Sequence, residues 1–197
     1  GVPVRADFRA LPDRDEAPVP PRMRVLVLGG SRGSGSLNRV FRAAAPSLPA
    51  LSLHHQTGTS DSGGLAAAYR ASELRAKLAT SISDMAAAFG WADLVVSRAG
   101  ASTCAELTMM EVPALLVPDP AATDDHQTEN TRALTRSGQC WCWPERALTS
   151  ERLADFLHRL DAERSLLRAR RNRGVELRSP GAADRLAKLL AGLAQVD

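Results

Sequence analysis

The sequence predicts an α/β domain: a Rossmann-like parallel sheet with helices on both faces and further helices at its C-terminal end. Three observations carry this. MRVLVL (23–28) is a short apolar, β-branched run ended by Gly29-Gly30, the signature of a buried parallel strand. Runs of that kind alternate along the chain with stretches whose apolar residues recur at helical spacing. From Thr149 onward the pattern is helical throughout.

The elements follow in order. Residues 1–22 open with GVPVR and continue through the Pro-rich, mixed-charge ALPDRDEAPVPPR, which reads as an inter-domain linker segment rather than core. The chain begins at Gly1, and this opening reads as part of a longer protein. The domain proper is expected over 23–197. After the first strand, SRGSGS is a loop and LNRVFRAAAPSL a helix. LSLHHQTG (51–58) is a second strand, and GGLAAAYRASELRAKLAT (63–80) reads as one helix. ISDMAAAFGWA (82–92) is a short helix with Ser83 as N-cap and Asp84 in its first turn. DLVVS (93–97) is a strand, CAELTMM (104–110) a helix, and VPALLVP (112–118) a strand closed by Pro118. DDHQTENTRALTRSG (124–138) is a helix with acids at its start, arginines near its end and Gly138 as C-cap, an order that suits the helix dipole. QCWCW (139–143) is the last strand.

Composition narrows the function classes. The 197 residues suffice for one domain of moderate size, and a 44% apolar share builds an ordinary core. The net charge of +3 is a mild bias, with one denser basic patch, RARRNR (168–173), expected on a solvated helix face. Tyr69 and the four Phe do not interleave with basic runs, so a nucleic-acid partner is not expected. The three cysteines, Cys104, Cys140 and Cys142, are odd in number and lack further ligands at metal-like spacing; they read as small core residues in a reducing compartment. His54-His55 reads as incidental. No apolar run approaches the ~20 residues of a membrane span.

Ligands of open parallel sheets bind beyond the carboxyl ends of the strands. Three loops fall there: GGSRGSGS (29–36), RAGAST (98–103) and DPAATDDHQ (119–127). The first two are small enough for close backbone approach, and each feeds a helix N-terminus, where free N–H groups and the dipole favour phosphate. Two such ends on one rim suit a diphosphate. Neither loop is GxxxxGK[ST], and GGSRG is not GxGxxG, so the ATP and NAD fingerprints are absent. Glu106, about one turn into the following helix, could accept bonds from a ribose diol or simply favour the helix dipole; spacing alone supports both equally. Asp124, Asp125, His126 and Gln127 are compatible with capping or with gripping a polyhydroxyl ligand, and His126 with a catalytic base whose partner spacing does not identify.

Taken in order, MRVLVLGGSRG…LN, HHQTG, SISDMAAAFGWADLVVSRAGASTCAE, VPALLVPDPAATDDHQTEN and GAADRLAKLL resemble the carboxyl-terminal half of the MurG family, and GVPVR resembles that family's inter-domain segment. These are bacterial transferases that move N-acetylglucosamine from UDP-N-acetylglucosamine to lipid I, the undecaprenyl-pyrophosphoryl-muramoyl-pentapeptide. The resemblance implies one half of a GT-B fold, two Rossmann-like domains facing a cleft, and inverting transfer with neither cofactor nor metal. It implies that Ile82 lies against the uracil and that Glu106 holds the ribose hydroxyls. Gly30, Ser31 and Arg32 would face the diphosphate from one loop, and Ala101, Ser102 and Thr103 from the other. His126 and Gln127 would contact the N-acetylglucosamine, and Arg5 would lie near the nucleotide. Val2 stands where the family commonly has Asn, Arg32 where it has Gln, and Ser34 where it has Ala. The catalytic base and the lipid I site would belong to the amino-terminal acceptor domain, in the same chain or a separate subunit, at the inner face of the plasma membrane. Two alternatives remain: a related transferase with another acceptor, and a sugar-nucleotide-binding module or subunit inactive alone.

Overall fold

The computed structural model describes residues 2–5, 7–8, 19–30, 33–59, 63–122, 126–179 and 181–193; of 126, 192 and 193 it describes the backbone alone. Six strands form one parallel sheet: β1 (Arg24–Leu28), β2 (Ser52–Gln56), β3 (Arg75–Ala79), β4 (Leu94–Ser97), β5 (Ala114–Leu116) and β6 (Cys140–Cys142). The order across the sheet is β3-β2-β1-β4-β5-β6, so the winding reverses between β1 and β4. The connecting helices are α1 (Gly35–Ala44), α2 (Gly63–Ala71), α3 (Met85–Trp91), α4 (Ala101–Met110) and α5 (His126–Ser137), followed by α6 (Ser150–Ala162), α7 (Ser165–Arg168) and α8 (Ala182–Leu193).

The central strands divide their side chains between two cores because successive residues of a strand face opposite ways. Val25, Val27, Leu94 and Val96 pack with Leu37 and Phe41 of α1, Leu65 of α2, and Leu153 and Leu157 of α6. Leu26, Leu28, Val95 and Leu116 pack with Phe89 of α3, Leu107 of α4 and Leu134 of α5. Each such side chain, removed from water, contributes about 1.5–3 kcal/mol. Phe8, within the segment expected to be linker, joins the second core; it is buried and meets Phe89 edge-on at 5.6 Å.

Several sequence expectations are corrected. The helix expected over 63–80 stops at Ala71, Glu73 takes a left-handed conformation (φ 54°), and RAKLA becomes the edge strand β3. Its Arg, Lys and Ala suit a helix by propensity, but five backbone pairings to β2 decide otherwise. The exposed Arg75 and Lys77 also guard an open sheet edge against further pairing. Asp84, not Ser83, caps α3: its Oδ1 accepts from Ala87 N at 2.8 Å. Helix α4 begins at Ala101, so Ala101, Ser102 and Thr103 form its first turn rather than a loop. The basic patch is no helix face. Residues 169–174 are turns, with Asn172 at φ 60°. Arg170 donates to Gly138 O and stacks 3.9 Å over Trp141, while Arg171 lies 3.6 Å from Asp93. Asp93 in turn holds Arg24 in a bidentate pair. The Gly138 cap stands as read, at φ 83°.

His55 is not incidental. It is fully buried, with Tyr69 Oη 2.9 Å from Nδ1 and Asn38 Oδ1 3.0 Å from Nε2. Burial holds its pKa down, to about 3. The unfolded chain therefore binds a proton between about pH 6.5 and 3 that the folded chain refuses, so His55 lowers stability as pH falls below 6.5. We expect the parent to lose about 1 kcal/mol more stability between pH 7.5 and 5.5 than a His55→Gln variant. Urea unfolding at the two pH values checks this, and equal losses would contradict it.

Candidate functional site

The carboxyl ends of β1 and β4 lie side by side where the winding reverses, the place at which open α/β sheets bind ligands. The turn after β1 is held by its glycines. A Cβ on Gly29 would stand 2.3 Å from Ser34 N, and one on Gly33 would stand 2.2 Å from Thr57 O. Gly30 differs: it takes φ 84°, is exposed, and has nothing among the described residues within 4 Å of where its Cβ would be. Its φ needs glycine, and no described residue closes the space above it. Ser34 then caps α1, its Oγ accepting from Leu37 N. Ser31 and Arg32 lie outside the described residues.

Helix α4 starts from Gly100 with no side-chain cap. Its leading N–H groups thus lack an internal partner and sit at the positive end of the dipole. Ala101 and Ser102 are exposed and Thr103 half-buried, all in that first turn. Glu106 follows on the same helix, half-buried. Burial raises its pKa, and the positive charge of Arg5 opposes the rise, so these two expected site residues lie within electrostatic reach. Exposed Arg5 stands over the Phe8 ring at 5.3 Å. Ile82 packs at the margin of the second core and lines a groove of about 770 Å³ with His54, Lys77, Asp84 and Trp91. His126 is the first residue of α5; its side chain is among those not described.

Gln127 ties two loops together. Its Oε1 accepts from Ala99 N at 3.1 Å and from Asp119 N at 2.9 Å. Both partners are donors, so the acceptor must be the amide oxygen. Asn130, one turn along α5, donates to Ala99 O at 3.0 Å.

Arg98 is the residue that sequence reasoning left without a role. Its Nε donates to Ser34 Oγ (3.1 Å), Nη1 to Val117 O (3.3 Å) and Pro118 O (3.2 Å), and Nη2 to Ser36 Oγ (2.8 Å) and Glu145 Oε1 (2.9 Å). A guanidinium has five N–H donors, and all five are engaged. Arg98 therefore braces the three rim loops against one another instead of offering charge to a ligand. A lone arginine directly after a buried strand was the available signal; its partners are not.

Comparison with known proteins agrees with this architecture. The profile of the Glycosyltransferase family 28 C-terminal domain matches residues 24–186. A relative from Thiobacillus denitrificans, named UDP-N-acetylglucosamine–N-acetylmuramyl-(pentapeptide) pyrophosphoryl-undecaprenol N-acetylglucosamine transferase, is 39% identical over 99% of this chain and 54% of its own length. One of the same name from Nitrosococcus oceani is 43% identical over 83% of this chain and 46% of its own. The crystal structure of Acinetobacter baumannii MurG superposes with a TM-score of 0.79 at 31% identity, covering 91% of this chain and 52% of that one. The calicheamicin glycosyltransferase CalG4, at 18% identity and a TM-score of 0.64, shares the fold. The chain spans about half the length of the curated relatives it matches. It belongs to glycosyltransferase family 28, as that family's C-terminal domain, with MurG proteins among its relatives.

Proposed function

We propose that this chain is the donor-binding half of an inverting glycosyltransferase that moves N-acetylglucosamine from UDP-N-acetylglucosamine to lipid I, forming lipid II in peptidoglycan synthesis. One observation carries the reading: an uncapped helix start at α4 and an open glycine turn before α1 share the rim at the winding reversal. Amides at such a rim suit a diphosphate, and Glu106 stands on the same helix for the ribose hydroxyls. Gly30, Ser31 and Arg32 would face the diphosphate from the first turn, and Ala101, Ser102 and Thr103 from the second. Ile82 would meet the uracil, His126 and Gln127 the sugar, and Arg5 would approach the nucleotide beside Glu106.

In this mechanism the acceptor hydroxyl attacks the anomeric carbon as UDP leaves. The charge growing on UDP is held by N–H groups fixed before reaction, which costs no reorganisation as the bond breaks. The base that takes the hydroxyl proton, and the lipid I site, would lie on an amino-terminal acceptor domain joined through residues 1–22. The domain over 23–197 alone would then bind donor without turnover. Among the described residues no helix is long and apolar enough to cross a membrane; in this reading the enzyme works at the inner face of the plasma membrane as a peripheral protein.

Calorimetry with UDP and uridine tests the reading. UDP should bind more tightly than uridine, and Glu106→Ala should weaken UDP about tenfold, the loss of one charge-assisted pair of bonds. Because the Glu106 pKa is raised, UDP affinity should fall with decreasing pH sooner than an ordinary carboxylate would allow. Equal affinity for UDP and uridine would remove the case for the two helix starts, and an unaffected Glu106→Ala the ribose assignment.

A further inference from the structure

We infer that Tyr69, His55 and Asn38 are positioning residues for the glycine turn after β1, acting through the Thr57 carbonyl on which Gly33 rests; this builds on the diphosphate role proposed for that turn. The three side chains form one buried relay. Its direction follows from donor and acceptor identity. Asn38 Nδ2 donates to Thr57 O at 3.0 Å, so Asn38 Oδ1 faces His55 and must accept. His55 Nε2 therefore carries the proton, and its Nδ1 accepts from the Tyr69 hydroxyl. The order runs from α2 through β2 to α1, and ends on a backbone oxygen.

That oxygen is not arbitrary. Thr57 O is the atom a Cβ on Gly33 would strike at 2.2 Å, with Gly58 Cα next at 2.8 Å. It is thus wedged between the floor of the turn and Asn38, which lies on the first turn of α1. Thr57 itself is tied to the edge strand through its N–H to Ala79 O at 2.9 Å. Burying an imidazole, a phenol and an amide costs free energy that aliphatic side chains of like volume would not. Every polar atom named here is paired, and a fully paired buried network fixes one arrangement of the groups it joins. What it fixes is the height of Gly33 against the sheet, and hence where the N–H groups of Gly33 and Ser34 point.

The test is calorimetry with UDP and with uridine on the full chain, for the parent and Tyr69→Phe, which keeps the ring and deletes the hydroxyl. UDP affinity should fall about fivefold, the effect of one lost buried hydrogen bond passed to the turn, while uridine affinity holds within about twofold. A role in packing alone would leave the UDP-to-uridine ratio unchanged. Should Tyr69→Phe weaken the fold, amide hydrogen exchange decides: the amides of 33–37 should lose protection before those of β1 and β4. An unchanged ratio, or exchange rising uniformly, overturns the inference. A parent that binds UDP no better than uridine would instead overturn the diphosphate reading.

Discussion

Gly33→Ala should destabilise the domain by about 3 kcal/mol, lowering its melting temperature by about 6–12 °C, and should abolish measurable UDP binding. Two effects add. At φ 79° an alanine carries the left-handed penalty of about 1–2 kcal/mol. Its Cβ would also fall 2.2 Å from Thr57 O and 2.8 Å from Gly58 Cα. Both neighbours are backbone, so no side chain can swing aside, and the turn or the end of β2 must move. Gly30→Ala is the matched control. It has the same sign of φ, 84°, but no described residue within 4 Å of where the methyl would go, so it should cost only about 1 kcal/mol. Calorimetric melting of the two variants separates strain from clash; equal losses would mean that Gly33 is not wedged as described.

Arg98→Ala should cost about 3 kcal/mol and weaken UDP binding at least tenfold, although Arg98 offers no free donor to a ligand. The substitution strips bonds from two hydroxyls, two carbonyls and one carboxylate at once. The Arg98 side chain is 12% exposed and that of Glu145 27%, so water can recover part of the loss at Glu145 but little at the carbonyls. The binding loss arises because Ser34 and Ser36, at the start of α1, and Val117 and Pro118, after β5, lose their common tether. Arg98→Lys should recover stability in part, since an ammonium has three donors and no planar fork. A double-mutant cycle with Glu145→Gln should give a coupling of about 1–3 kcal/mol. Additive effects would show the ion pair to be incidental, and normal UDP affinity in Arg98→Ala would refute the bracing role.

How far the site was legible depended on how far each residue reaches. The glycine turns, the acid at 106 and the His126-Gln127 pair could be picked out because they stand in the loops and early helix turns that follow recognisable strands. Gln127 was expected as a ligand contact; what the structure adds is that its amide oxygen joins Ala99 to Asp119. Arg98 carries no role legible in its neighbourhood, because its partners stand 64, 62 and 47 residues away at Ser34, Ser36 and Glu145. His55 next to His54 looked accidental for the same reason. RARRNR looked like a solvated face because charge ordinarily seeks water; here Trp141, Gly138 O and Asp93 lie close enough to take two of the arginines inward.

From the sequence came the parallel sheet with helices on both faces, the places where its loops gather beyond the carboxyl ends of the strands, and the end of α5 at Gly138. These follow from interactions within a few residues: the run length of apolar side chains, the φ that only glycine adopts readily, and the N–H groups every helix start leaves open. The tertiary structure alone decided that RAKLA is a strand, that Asn38, His55 and Tyr69 form one relay, and that Arg98 spends all its donors on its own fold. Strand pairing and buried hydrogen bonds take their energy from groups distant in the chain, and such partners override local propensity once folding has brought them within about 3 Å.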